Sequence, residues 1–476
     1  TLTTNGSTTT GGALLVTHGT YNQGGSLSVG TTVQISSGAT WSNVGTGSVT
    51  LGGGVTNNGT IILNSNNLAQ CVDGANSILV RSSVNNTTRA WSGTGTFIMR
   101  NLDVDDMTGA GVTVYNSTLS GDTTWTVGTC GSIVSGTSNA GSGTVAVAVN
   151  GTLQGQTGSI SAGTWSIANV MMTTGQIVTV WIDGAASGTE STAIGKYDGT
   201  GDMTGMVLNT NILSIGSVDN QSLSLTDLST SGTGYDCTDD EDVMYSVASS
   251  VLSVQGVGCA GGDNSYSNET LEVEAGNTLA VGTSETVSTE NMVINGILSA
   301  TGNSIFNVAG GWDNNANFTK GTSTVNFSSS TSKTIDSTGS SSSDFNIVNF
   351  NGGGGDFTLA SNLVTSGNLT ISAGTLKNGG FGITGAGGTT FAVSNGATFE
   401  MSGSSVYPAS FGSYSYGATS NVNYLQTSGA SVVPATYGNL NLKPANNTPL
   451  VFGSGTFNIA GDLVVGDSSN AGVTAT

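Results

Sequence analysis

The apolar residues of this chain come in short alternating bursts, none long enough for a helix. Between Asn295 and Val325 the groups are Ile297, then Ile305, Phe306 and Val308, then Trp312, Phe318 and Val325. Each closes on Gly, Asn or Ser-Thr. Alternation over a few residues predicts a strand with one buried face, and Asn-Gly or Ala-Gly-Gly between bursts predicts a turn. The pattern runs through most of the 476 residues. The expected fold class is therefore all-β.

Two all-β architectures fit strands joined by such short turns, an antiparallel sandwich and a parallel β-solenoid. Across residues 1–140 the bursts Ala13-Leu14-Leu15-Val16, Leu27-Ser28-Val29, Val33-Gln34-Ile35 and Val49-Thr50-Leu51 lack regular two-residue hairpin signals, which favours the solenoid. Residues 141–215 carry longer strands, Val145–Val149, Gly163–Ile167 and Gln176–Asp183, with Trp181 near the middle of the last. A tryptophan on a long alternating strand predicts an intervening immunoglobulin-like β-sandwich. Short bursts return over residues 216–476, with internal repetition. Phe306–Trp312 matches Phe457–Leu463, and Phe345–Phe350 matches Tyr437–Leu442, an offset of 92 residues. Coils of about 20–25 residues in a longer repeat are solenoid behaviour, because no coil can bury its inward face without a neighbour above and below.

The segments Gly310–Phe318, Gly321–Phe327 and Ala435–Leu440 resemble the β-strand repeats of very large bacterial surface proteins. Lys196–Asp202 through Asp219–Leu223 is similar to linking regions of the same proteins. The resemblance covers most of the chain with degenerate motifs. It implies a β-solenoid, an exported adhesin-like or filament-forming role, and no particular ligand.

Composition narrows the partners. Charged residues are only 8%, against about 25% in ordinary soluble domains, and Ser, Thr, Asn and 74 glycines take their place. The net charge of −21 repels a phosphate backbone, so nucleic acid is not expected. Arg81, Arg89 and Arg100 share one stretch and could form a local basic patch. No run of eighteen apolar residues exists, so no membrane span is expected. Starting at Thr1 and stopping at Thr476, the sequence reads as a mature or trimmed piece of something longer. An extracellular, cell-surface setting fits this balance. It would allow disulfides among Cys71, Cys130, Cys237 and Cys259, which have no CxxC pair and no nearby histidine for zinc. Cys237 with Cys259 would close a loop of about 20 residues, worth ~3 kcal/mol by loop entropy, and would leave Cys71 with Cys130. Four cysteines nevertheless allow three pairings.

Candidate chemistry is sparse. His18 is the only histidine and lacks a nucleophile-elbow context, so a turn or surface role is expected. Gly352–Gly355 lacks the Lys-Ser/Thr of a phosphate loop. Two acidic clusters remain, Asp103-Val104-Asp105-Asp106 and Asp236 with Asp239-Asp240-Glu241-Asp242. Asp103 and Asp105 would lie on one strand face, close enough to share a cation. Structural calcium at Asp103, Asp105, Asp106, Asp239, Asp240 and Asp242 is the metal expectation, although neither cluster has EF-hand or nonapeptide spacing. No other cofactor and no catalytic residue is expected. The six tryptophans are each expected in the core.

The functional expectation is a non-enzymatic structural subunit of an extracellular filament, surface layer or stalk. It would self-associate end to end or with further repeats of the same chain. A glycan- or surface-binding adhesin is the first alternative, which exposed aromatics and amides on one solenoid face would favour. A polysaccharide-degrading β-helix enzyme is the second, which carboxylates converging in a groove would favour.

Overall fold

A computed structural model describes residues 1–68, 77–109, 111–128, 130–186, 188–231, 243–254, 269–339, 345–404, 407–427, 430–444 and 449–466. They form two compact units, Thr1–Gly131 and Ser132–Thr476. Both are parallel β-solenoids, with about 19 turns in all.

In the first unit every coil supplies one strand to each of three parallel sheets. One sheet holds Leu2–Thr4, Thr20–Gln23, Thr40–Asn43, Thr60–Asn64 and Thr96–Arg100. Leu2 pairs with Tyr21, Thr20 with Thr40 and Thr40 with Thr60, a rise of 19 to 20 residues per turn. The next step, Thr60 to Thr96, is longer, at 36 residues. Strands of three to five residues suffice because each needs only two inward side chains, as in the buried–exposed–buried pattern of Val33–Ile35. Corners need residues that tolerate a left-handed backbone. Asn101 (φ +54°) and Asp106 (φ +58°) bracket the strand Leu102–Asp105 in this way. Aliphatic residues fill the interior together with Trp41, Trp91 and Trp125. Trp41 stacks on Trp91 at 6.4 Å, and Trp125 meets Trp91 edge-on at 4.9 Å.

The second unit begins with two packed layers. One holds Thr164–Val170, Ser132–Ser138 and Met203–Leu208; the other holds Thr144–Val149, Ile177–Asp183 and Ser191–Lys196 in antiparallel order. Val134, Ile167 and Met206 from the first layer pack on Val147, Val180 and Ala193 from the second. The opposite face of the second layer, through Ala146, Ala148, Trp181 and Ile194, packs on Leu213, Leu223 and Leu228 at the start of the coils. Ile177–Ile182 is consequently buried on both faces, and the layers close the coil stack at this end. The pairing does not establish an immunoglobulin arrangement in residues 141–215. Ser132–Ser138 joins the layers from outside that span, and Ser191–Lys196 continues by parallel pairing into Ile212–Ile215 and Thr270–Val273. Alternation and turn spacing alone fit any two-layer β packing.

Beyond Thr270, paired strands are 18 to 24 residues apart, as in Asn421 to Asn439, Ile305 to Thr324 and Lys333 to Phe357. The core here is aromatic: Phe327 stacks on Phe350 at 5.1 Å, and Trp312 contacts Phe306, Phe318, Phe327 and Phe345. Outside, asparagines stack as well. Asn349 donates to Asn326, and Asn326 to Asn307, each at 2.9 Å. All six tryptophans are core residues, as expected.

Candidate functional site

The first acidic cluster is used by the fold. Asp103 is ion-paired with Arg81 at 2.7 Å. Asp105 stands beside Arg81 in the strand register. Asp106 is buried and turned toward the backbone, its carboxylate accepting from the amides of Asn86 (2.8 Å) and Asp122 (3.3 Å). Arg89 is held by Ser82 and Arg100 by the Leu68 carbonyl. Each arginine therefore has its own partner. Among the described residues no group of three or more His, Cys, Asp or Glu is placed to hold a metal ion. Asp236, Asp239, Asp240, Glu241 and Asp242 lie outside the described residues, as do Cys71, Cys237 and Cys259. Cys130 is the one described cysteine, and no described cysteine is a free thiol.

A different set of polar residues converges on the outer face of the second unit. The strand Asn291–Ile294 pairs with Trp312–Asn314 over three residues, whereas Trp312–Asn314 pairs with Lys333–Asp336 only through Trp312–Ile335 and Asp313–Asp336. At this shortened ladder lies a groove of about 480 Å³, whose polar lining includes Asn291, Asp313, Lys333, Thr334 and Asp336. Asn291 is fixed by accepting the Gly311 amide at 2.9 Å and donating to Thr270 at 3.4 Å. Lys333 is neutralised by Glu290 at 2.8 Å. Asp336 accepts from both the amide and the hydroxyl of Thr338. Burial opposes its ionisation, but hydrogen bonds from Thr338 and Ser361 hold its carboxyl below the usual range. The register places Asp313 beside it, one coil earlier.

The same outward column continues through Val293 to Glu272. Burial pushes the Glu272 carboxyl up, against a hydrogen bond from Asn295, and the charge of Asp313 adds to the rise. Glu274, two residues along, is pushed up to about 7 by burial and by the charge of Glu272, with Ser214 opposing. None of these acids was legible as a site in the sequence. Asp313 and Asp336 are one coil apart, and only the register that unites them would have shown it.

The coil ends form a third feature. Leu2–Thr4, Thr8–Thr10 and Leu14–Val16 lie at the ends of their sheets and pair on one side only. Leu2 and Leu15 are 62% and 58% exposed there. Leu14, Val16, Tyr21 and Leu27 join them around an opening of about 470 Å³, beside which His18 also lies. The last described strands, Leu450–Phe452 and Leu463–Val465, leave Val451, Leu463 and Val465 about half exposed.

The fold defines a β-solenoid repeat protein. In comparisons with protein-family models, curated proteins and solved structures, nothing matches the chain.

Proposed function

We propose that this chain is a structural element of an extracellular filament, surface layer or stalk, with solenoid coils supplying its length. The observation that carries the reading is the first coil. Its three parallel strands each leave one backbone edge unpaired, and the apolar side chains Leu2 and Leu15 stand exposed beside them. Such an edge accepts another parallel strand, and only another coil offers three at matching positions. The proposed occupant is another coil of this kind, from a second copy or from further repeats of the same chain, and the last described strands present exposed Val451, Leu463 and Val465. A low-charge Ser/Thr/Asn-rich surface and the lack of a free thiol at Cys130 support the exported setting and oxidised cysteines.

Sedimentation velocity over a concentration series, with negative-stain electron microscopy, tests the reading. Rods that lengthen with concentration, and that Leu2→Lys with Leu15→Lys reduces to single particles, are expected. A wild-type protein that stays monomeric at several milligrams per millilitre would sink the end-to-end model.

A further inference from the structure

We propose that the groove bordered by Asn291, Gly311, Asp313, Lys333, Thr334 and Asp336 binds a neutral glycan. Its volume of about 480 Å³ falls within the ~300–1,000 Å³ of small-ligand sites. Two of its polar groups are oriented in advance, Asn291 by the Gly311 amide and Asp336 by Thr338. Preorganised groups lose little entropy when a ligand arrives.

The lining excludes other ligand classes in turn. Anions meet Asp313 and Asp336, while the charge of Lys333 is already committed to Glu290. A hard divalent cation wants six or more oxygen ligands, and no third His, Cys, Asp or Glu is gathered with the two aspartates among the described residues. The lining is mixed, Met292 and Val293 standing beside the amide, hydroxyl and carboxylate groups, so a wholly apolar ligand would desolvate polar groups without pairing them. Sugar hydroxyls suit these residues. Each can donate to a carboxylate and accept from the hydroxyl of Thr334 or the ammonium of Lys333.

The test uses the full chain in titration calorimetry with cellohexaose, xylohexaose, laminarihexaose and chitohexaose, and with tetragalacturonate as an acidic counter-probe. At least one neutral probe is expected to bind. Asp313→Ala should weaken it by about tenfold. Ser332→Trp, which fills the groove from an exposed position and removes no carboxylate, should weaken it at least as much, whereas Asp105→Ala in the first unit should leave it unchanged. Circular dichroism confirms that each variant is folded. The proposal is overturned if no neutral probe binds, if tetragalacturonate binds more tightly, or if both groove variants bind like the wild type.

Discussion

The two units build the same coil with different interiors and different starts. The first fills its coils with aliphatic residues around Trp41, Trp91 and Trp125, and its first coil is open. The second stacks phenylalanines and tyrosines, and two β-layers cover its start. The parallel ladder is thus indifferent to which large apolar side chains it encloses, provided they alternate inward. Covering the end of the stack is a separate task. In the second unit a sheet buried on both faces performs it.

Truncating a central tryptophan should produce the largest effect and tests whether the two cores are independent. Trp91→Ala in the first unit and Trp312→Ala in the second should each cost ~3–5 kcal/mol. Differential scanning calorimetry should resolve two transitions, each variant lowering only the one belonging to its own unit. A single transition lowered by both variants would show one cooperative body.

The corner at Gly11, Gly30 and Gly52 sharpens the contrast at smaller cost. A Cβ at Gly52 would lie 2.1 Å from the Gly30 carbonyl oxygen, and one at Gly30 would lie 2.4 Å from that of Gly11. Gly52→Ala should destabilise the first unit by roughly 2–3 kcal/mol. Gly38→Ala has open space but a φ of +76°, and should cost about 1 kcal/mol, the ordinary penalty of a left-handed backbone. Equal losses in urea unfolding would mean that the corner relaxes.

Alkali should separate the units by chemistry. The second contains a tyrosine cluster: Tyr407 and Tyr416 share a hydrogen bond, Tyr437 donates to the Val433 carbonyl at 2.5 Å, and Tyr424 lies 3.3 Å from Tyr437. Burial pushes all four phenols above their ordinary value of 10. A raised pKa means that the folded state favours the protonated form. The stabilisation is therefore complete below about pH 10 and is lost as pH rises beyond it. The first unit has only Tyr21 and Tyr115. A pH series from 9 to 12 should show the second unit melting earlier, with tyrosine absorbance changing in step with unfolding. Gradual ionisation without unfolding would contradict the cluster's burial.

Much of the coil architecture was legible because burial alternates with a period of two, and that period survives in single strands. Asp103 and Asp105 share an outward face as their spacing implies, but their neighbour Arg81 comes from the previous coil and is visible only through register. The match of Phe345–Phe350 with Tyr437–Leu442 misled for the same reason. It equates Val348 with Leu440, yet Val348 stacks on Leu369 and Phe391, whereas Leu440 follows Phe399 and Val422. Coils of 18 to 24 residues drift out of step with any fixed offset. The groove was hidden by the same variability, since Asp313 and Asp336 become neighbours only through the register of two successive coils.

The smallest expected effect is carried by Glu274, and it should be confined to the second unit. Its carboxyl ionises near 4.5 in an unfolded chain and at about 7 in the fold, because burial and the charge of Glu272 disfavour the anion. Below pH 4.5 the group is protonated in both states and costs nothing. Between 4.5 and 7 the folded state holds the extra proton, so stability falls as pH rises, and above 7 the full penalty applies. Glu274→Gln replaces the carboxyl with a neutral group of the same shape. It should raise the second transition by about 1–2 °C at pH 8 and leave it unchanged at pH 4, a modest gain because solvent still reaches and screens part of the group. The first transition should not move at either pH. A gain of equal size at both pH values would mean that packing rather than charge sets the effect, and would remove the electrostatic account of this acidic column.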